Sequence, residues 1–325
     1  MGPGRLFPLM LAGMLAAGGP AWAQNYPERS IKLVVPFSPA GAADVMGRLW
    51  ADGMKTLLGP VFLENQAGAG GVVGATAVAR ARPDGYTLML STGGPVFVAV
   101  VGHVPYDPAK DFEPVSILGT TALTIVIHPS VPARDLKEFI DYAKANPGKL
   151  SYGSAGVGTM THLAGGLFKS LTGTDIVHVA YKGGGQLVAD VVSGHIPMGM
   201  QNLTGLIIDL HRAGKVRMLA TTGPARAVVA PEIPSAAEEG LPGMIARNFF
   251  GLFAPAGTPE AVVARIVDAT RAAMADPGFR QKLVATGFEP YPDSTREAAR
   301  RFVQEEVGRW APVIQAIGSK PERED

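Results

Sequence analysis

The chain reads as an α/β protein of two domains. Its 325 residues are about twice the length of an average domain of roughly 150 residues. Its apolar fraction of 47% is enough for two cores. Short apolar runs alternate with segments of helical period, a βαβα order that implies largely parallel sheets covered by helices.

The elements follow in order. Residues 31–35 form a compact apolar strand, after which Met46, Trp50, Met54 and Leu57 fall on one helical face. Gly59-Pro60 ends that helix. Residues 61–64 and 86–91 are the next strands, the second introduced by the turn Arg82-Pro83-Asp84-Gly85. A strand over 123–127 precedes a helical stripe of Leu136, Phe139, Ile140 and Ala143, stopped by Asn146-Pro147-Gly148. Leu163, Leu167 and Leu171 mark the face of a further helix. Towards the C-terminus, residues 250–254 read as a strand and Thr258 as an N-cap with Pro259 in the first helical position. Ser294-Thr295-Arg296-Glu297 has capping-box form and opens a last helix carrying Phe302, Val303, Val307, Trp310 and Ile314.

Residues 1–23 read as a secretory signal. Arg5 precedes an apolar run over 6–17, and Ala21-Trp22-Ala23 fits a small-x-small cleavage site, so cleavage is expected after Ala23. That run contains Pro8 and Gly13 and is well short of the roughly 20 residues of a membrane span. Cysteine is absent, which excludes disulfides, thiol catalysis, thiolate metal sites and the cysteine that bacterial lipid anchoring requires. Without Arg5 the remaining Lys and Arg balance the 28 Asp and Glu. A neutral chain has no general attraction for nucleic acid or anionic lipid. The expectation is a free periplasmic protein whose selectivity for charge is local.

Two strand-to-helix junctions break into glycine: residues 33–44, with Pro36-Phe37-Ser38-Pro39-Ala40-Gly41, and residues 150–159, with Gly153-Ser154-Ala155-Gly156-Val157-Gly158-Thr159. A helix start offers unpaired N–H groups and the positive end of the dipole, so each is suited to an anion. Catalytic patterns fare worse. Residues 68–74 put valine where a dinucleotide loop needs its last glycine, and no phosphate loop occurs. Gly153-Ser154-Ala155-Gly156 misses the nucleophile elbow, because Tyr152 stands where its first glycine belongs. A hydrolase using Ser154, with His162 or His178 as base, is the enzyme alternative. The six histidines never pair at metal-ligand spacing, so no metal is expected. What remains is backbone donors, with hydroxyls at Ser38, Ser91, Thr92, Ser154 and Thr159. Such groups bind carboxylates well and catalyse little by themselves.

Several long motifs resemble the Bug-type extracytoplasmic solute receptors of tripartite tricarboxylate transporters. They are Val34-Val35-Pro36-Phe37 with Gly41 and Asp44, Glu64-Asn65-Gln66-Ala67-Gly68-Ala69-Gly70-Gly71, Pro83-Asp84-Gly85-Tyr86-Thr87-Leu88, Pro105-Tyr106-Asp107-Pro108, Ser154-Ala155-Gly156 with His162-Leu163-Ala164, Val179-Ala180-Tyr181-Lys182-Gly183, and Gly251-Leu252-Phe253-Ala254-Pro255-Ala256-Gly257-Thr258-Pro259. The resemblance implies a type II periplasmic binding-protein fold: two lobes, each a mainly parallel sheet covered by helices, with a hinge and an interlobe cleft. Lobe one would comprise 24–122 and 250–325, and lobe two 123–249, with crossings near 120–124 and 248–252. It further implies a monomer without cofactor that binds a small organic carboxylate and delivers it to integral-membrane transporter components. Supply of a sensor instead of a transporter is the other alternative.

Carried over by position, the first ligand loop is Phe37, Ser38, Ala40, Gly41 and Ala42, with Asp44 capping the helix. The second is Ser154, Gly156, Gly158 and Thr159, and Ser91 and Thr92 join the set. Ala40 stands where the family usually has glycine, which adds a methyl group near the carboxylate. Gln201 stands where relatives commonly carry aspartate: either the ligand lacks a cationic amine, as in a di- or tricarboxylate or a carboxylated aromatic, or Gln201 only caps a strand. Pro197 falls inside the expected strand before Gln201, where it fits only at an edge or bulge.

Overall fold

The computed structural model describes residues 26–101 and 104–318. The signal segment 1–23 lies outside the described residues.

The chain opens with β1 (Ile31–Val35), α1 (Ala42–Met54), β2 (Val61–Asn65), α2 (Val72–Ala79), β3 (Thr87–Ser91) and α3 (Gly94–Val101). A sixteen-residue strand, β4 (Phe112–Ile127), then leads into α4 (Leu136–Ala145), β5 (Leu150–Ser154), α5 (Met160–Thr172), β6 (Ile176–Ala180), α6 (Gly184–Ser193), β7 (Met198–Asn202), α7 (Gly205–Arg212) and β8 (Arg217–Thr221). The chain returns through β9 (Arg247–Pro255) and ends in α8 (Glu260–Ala275), α9 (Pro277–Ala285), β10 (Glu289–Pro290) and α10 (Arg296–Gly318).

The strands pair in the order β2-β1-β3-β9-β4-β7-β5-β6, with β8 and β10 also bonded to β4. In each half the outer three strands are parallel: β1 with β2 and β3, β5 with β6 and β7. The central strands are antiparallel, so the sheets are mixed, because the chain crosses between halves on β4 and comes back on β9. β4 serves both halves. It pairs with β9 along Phe112 to Ala122, then with β7 and β8 from Leu123 onward.

Packing follows the expected stripes. Met46, Trp50 and Met54 of α1 are fully buried with Leu33, Ile266 and Phe250. The Trp50 indole N–H donates to Thr270 Oγ1 at 3.1 Å, so the buried ring keeps its polar end satisfied. Phe139, Leu163 and Phe168 of α4 and α5 share a second core with β4 and β7, which Trp310 and Ile314 of α10 join. α10 is further tied to β4 by Glu113, which takes hydrogen bonds from Arg296 at 2.6 Å and from Arg300 at 2.9 Å.

Three local expectations need correction. Pro259 holds the N-cap of α8, and the Thr258 hydroxyl donates backwards to the Pro255 carbonyl at 2.7 Å. The last helix is capped by Thr295, whose Oγ1 accepts from Ala298 N, one residue later than the capping-box reading. Pro197 precedes β7, where its carbonyl accepts from His128 N at 2.9 Å, so its missing N–H costs the ladder nothing. Among the described residues no helix is long and apolar enough to cross a membrane, and no acidic, histidine or cysteine cluster could hold a metal ion.

Candidate functional site

The first junction is a turn between β1 and α1. Its N-cap, Gly41, offers no side-chain acceptor, so the N–H groups of Ala42 and Ala43 at the helix start have no intrahelical partner. Asp44 braces the loop from behind. Its carboxylate accepts from Ala40 N at 3.0 Å, Asn65 Nδ2 at 3.0 Å, and Arg48 Nε and Nη2 at 2.9 and 3.0 Å. Burial pushes the Asp44 carboxyl up, but these hydrogen bonds and the Arg48 charge outweigh it and hold the group below the usual aspartate range. Asp44 is thus committed to its own loop and not turned on a ligand.

The second junction links β5 to α5. Thr159 caps the helix by accepting from His162 N at 3.4 Å, and its hydroxyl donates to the Gly156 carbonyl at 2.6 Å. Ser154 Oγ accepts from Gly156 N at 3.1 Å and lies 2.7 Å from His178 Nε2. Gly158 N donates to His162 Nδ1 at 3.2 Å, and the His162 and His178 rings stack at 4.3 Å. The loop is therefore held by side chains from α5 and β6.

A third junction, between β6 and α6, faces the first. Gly183 is its N-cap, again without a side-chain acceptor, at φ +148°. Ser38 N donates to Lys182 O at 3.1 Å, and a Cβ placed on Gly41 would lie 3.4 and 3.5 Å from the backbone nitrogens of Gly185 and Gly184. A Cβ on Gly156 would meet Gly70 Cα at 2.9 Å. The two halves of the molecule therefore touch backbone to backbone on both sides of the cleft; at Gly156 the approach leaves no room for a side chain, whereas at Gly41 it is ordinary van der Waals contact.

Between them lies a small cavity. Phe37, Gly41, Ala42 and Ala43 line it from the first junction, Ala155, Thr159 and Thr161 from the second, and Gly184 from the third; Thr92, Asn202 and Asn248 complete it. None of these side chains ionises, while the starts of α1, α5 and α6 all open on the space. The charge it presents is the positive end of three helices. About 20 Å³ is open to the centre of a water molecule, room for about one water, so a larger ligand enters only when the halves part.

Of the sequence-predicted residues, Phe37, Gly41, Ala42, Thr92 and Thr159 line this cavity. Ser38 and Ser91 are buried beside it, and their hydroxyls have no hydrogen-bond partner among the described residues. Ser154, Gly156 and Gly158 shape the second loop without lining the space. Ala40 departs from expectation: it is exposed, its N–H is taken by Asp44, and its methyl group does not line the cavity. Its cost is conformational, a left-handed φ of +61°. Gln201 also lies outside the lining, packed under α6 with its Nε2 donating to Gly184 O at 3.4 Å. Sequence reasoning missed Ala43, Ala155, Thr161, Gly184, Asn202 and Asn248. The glycine run 183–185 after a short strand was the available signal for the third junction, whereas nothing local marks Asn202 or Asn248.

A two-lobed α/β fold with a cleft onto which helix N-termini open defines a solute-binding protein. The chain belongs to the receptors of the tripartite tricarboxylate transporter family, whose model matches residues 46–319. Protein BugT of Bordetella pertussis is 33% identical over 305 residues, covering 93% of each chain. Among solved structures, MatC from Rhodopseudomonas palustris with bound malate is 33% identical at TM-score 0.84, covering 89% of this chain and 100% of that one. Rpa4515 of the same organism, with adipate, is 31% identical at TM-score 0.85, covering 90% and 99%. Receptors of this family are periplasmic solute-binding proteins, not enzymes. The Ser154 hydrolase alternative fails accordingly, and Ser154 is fully buried with its Oγ already engaged.

Proposed function

We propose that this protein captures a small dicarboxylate in the interlobe cleft and hands it to the integral-membrane components of a tripartite tricarboxylate transporter. One observation carries the reading: three helix N-termini converge on a cavity lined by no ionisable side chain. Such a site favours an anion and supplies donors at both ends of it. The malate bound to MatC and the adipate with Rpa4515 support a dicarboxylate as the ligand class.

In this reading Gly41, Ala42 and Ala43 receive one carboxylate, and the Thr159 and Gly184 ends close over the other. The lobes are 24–122 with 250–325, and 123–249, hinged where β4 and β9 run side by side. The mature chain begins at Gln24 and works as a monomer without cofactor. A transporter that docks on the closed form alone reads occupancy through a population shift.

A thermal-shift panel of malate, succinate, adipate, citrate and benzoate tests this. Ligand at about 100 times its dissociation constant adds roughly 2.7 kcal/mol, a shift of several degrees for a folding unit of this size. A melting point unmoved by every carboxylate removes the reading.

A further inference from the structure

We infer that Asn202 is the selectivity residue of the cleft, and that it admits dicarboxylates while rejecting their α-amino counterparts. This rests on the carboxylate reading above and names the residue that narrows it.

The orientation of two carboxamides carries the argument. Asn248 Oδ1 accepts from Phe249 N at 3.1 Å, which fixes the Asn248 oxygen towards the backbone. Its amide nitrogen therefore points the other way and donates to Asn202 Oδ1 at 3.0 Å. Asn202 in turn has its oxygen directed at Asn248 and its NH₂ group directed away. Among the described residues that nitrogen donates no hydrogen bond, nor is it among the fully enclosed polar atoms left without partners. Since Asn202 lines the cavity, its two N–H donors open on the cleft.

Both residues are held rigidly. Asn202 ends β7 in register with Leu123, and Asn248 lies in β9 in register with Thr121, so β4 fixes the pair from either side. A ligand atom meeting this floor must be an acceptor: a carboxylate, hydroxyl or carbonyl oxygen. An ammonium there would face two donors and find no carboxylate in the lining.

Asn202→Asp is nearly isosteric and still accepts the Asn248 N–H, so the fold has reason to survive while the two donors become a negative charge. Calorimetric titration would use succinate against aspartate and adipate against α-aminoadipate. Wild type is expected to prefer the plain diacid by roughly tenfold or more, the worth of one hydrogen bond to a charged group. Asn202→Asp should cut or reverse that ratio by a similar factor, and Asn202→Ser should weaken the plain diacid about tenfold without favouring the amino diacid. Wild type that binds neither pair overturns the selectivity assigned to Asn202, and the carboxylate site itself falls only if the melting point is also unmoved by every carboxylate of the thermal-shift panel. Wild type that binds both members equally, or variants that keep the wild-type ratio and affinity, overturn the role of Asn202 and leave the site standing.

Discussion

Gly183→Ala separates closure of the cleft from stability of the fold. A methyl group there would sit 2.5 Å from Ser38 Oγ and 2.6 Å from Ser38 N. The second contact is with backbone, and that N–H donates across the cleft to Lys182 O. Overpacking of this kind costs about 1–3 kcal/mol, and loss of the crossing hydrogen bond about 0.5–1.5 kcal/mol. Both penalties exist only when the halves meet, so they enter the binding equilibrium. Together they weaken affinity roughly tenfold to a thousandfold at about 1.4 kcal/mol per decade.

The glycine-only backbone at φ +148° costs a further ~1–3 kcal/mol in open and closed forms alike; this appears in unfolding and cancels from binding. Gly173→Ala is the control, with φ +66° and nothing within 4 Å of its added carbon, at the far end of α5. It should lose stability and keep affinity. Titration with the diacid that gives the largest thermal shift, together with urea unfolding, reads both quantities. Folded Gly183→Ala protein that binds within twofold of wild type would refute the closed-contact argument.

Two further outcomes are expected. Asp44→Asn removes the charge and one of the two oxygens that together accept four hydrogen bonds and should cost about 1–3 kcal/mol in urea at neutral pH. Because the folded carboxyl titrates below its ordinary value, its contribution is present above the aspartate range and is lost as pH falls through about 4 and below. The wild-type advantage over the variant should therefore shrink at pH 3, and an equal gap at both pH values would contradict this. Ala40→Gly relieves a left-handed alanine at an exposed position, worth about 1–2 kcal/mol, against roughly 0.5–1 kcal/mol of added unfolded-state freedom. A net gain near 0.5–1 kcal/mol should appear as a higher urea midpoint with unchanged affinity; destabilisation would mean that the loop relies on the methyl group.

Much of the architecture was legible because it is local. The stripe of Met46, Trp50 and Met54 and the stops at Gly59-Pro60 and Asn146-Pro147-Gly148 depend on periodicity and turn chemistry alone. Elements without a strong stripe, such as β6 with its largely exposed Val177, Val179 and Ala180, were not individually legible. The helix ends were offset by a residue: the Thr258 hydroxyl had a competing partner in the Pro255 carbonyl, and Thr295 took the cap that the pattern assigned to Ser294.

The sequence by itself determined that backbone donors would be presented at glycine-rich helix starts, because the starts at Gly41 and Thr159 carry that property wherever the chain puts them. Tertiary structure alone decided that Gly184 faces Gly41, that Ala40 and Gln201 stand off the cavity, and that Asn202 and Asn248 form its floor. Those relations depend on β4 and β9 running antiparallel between the halves, a pairing across more than a hundred residues that no local pattern encodes.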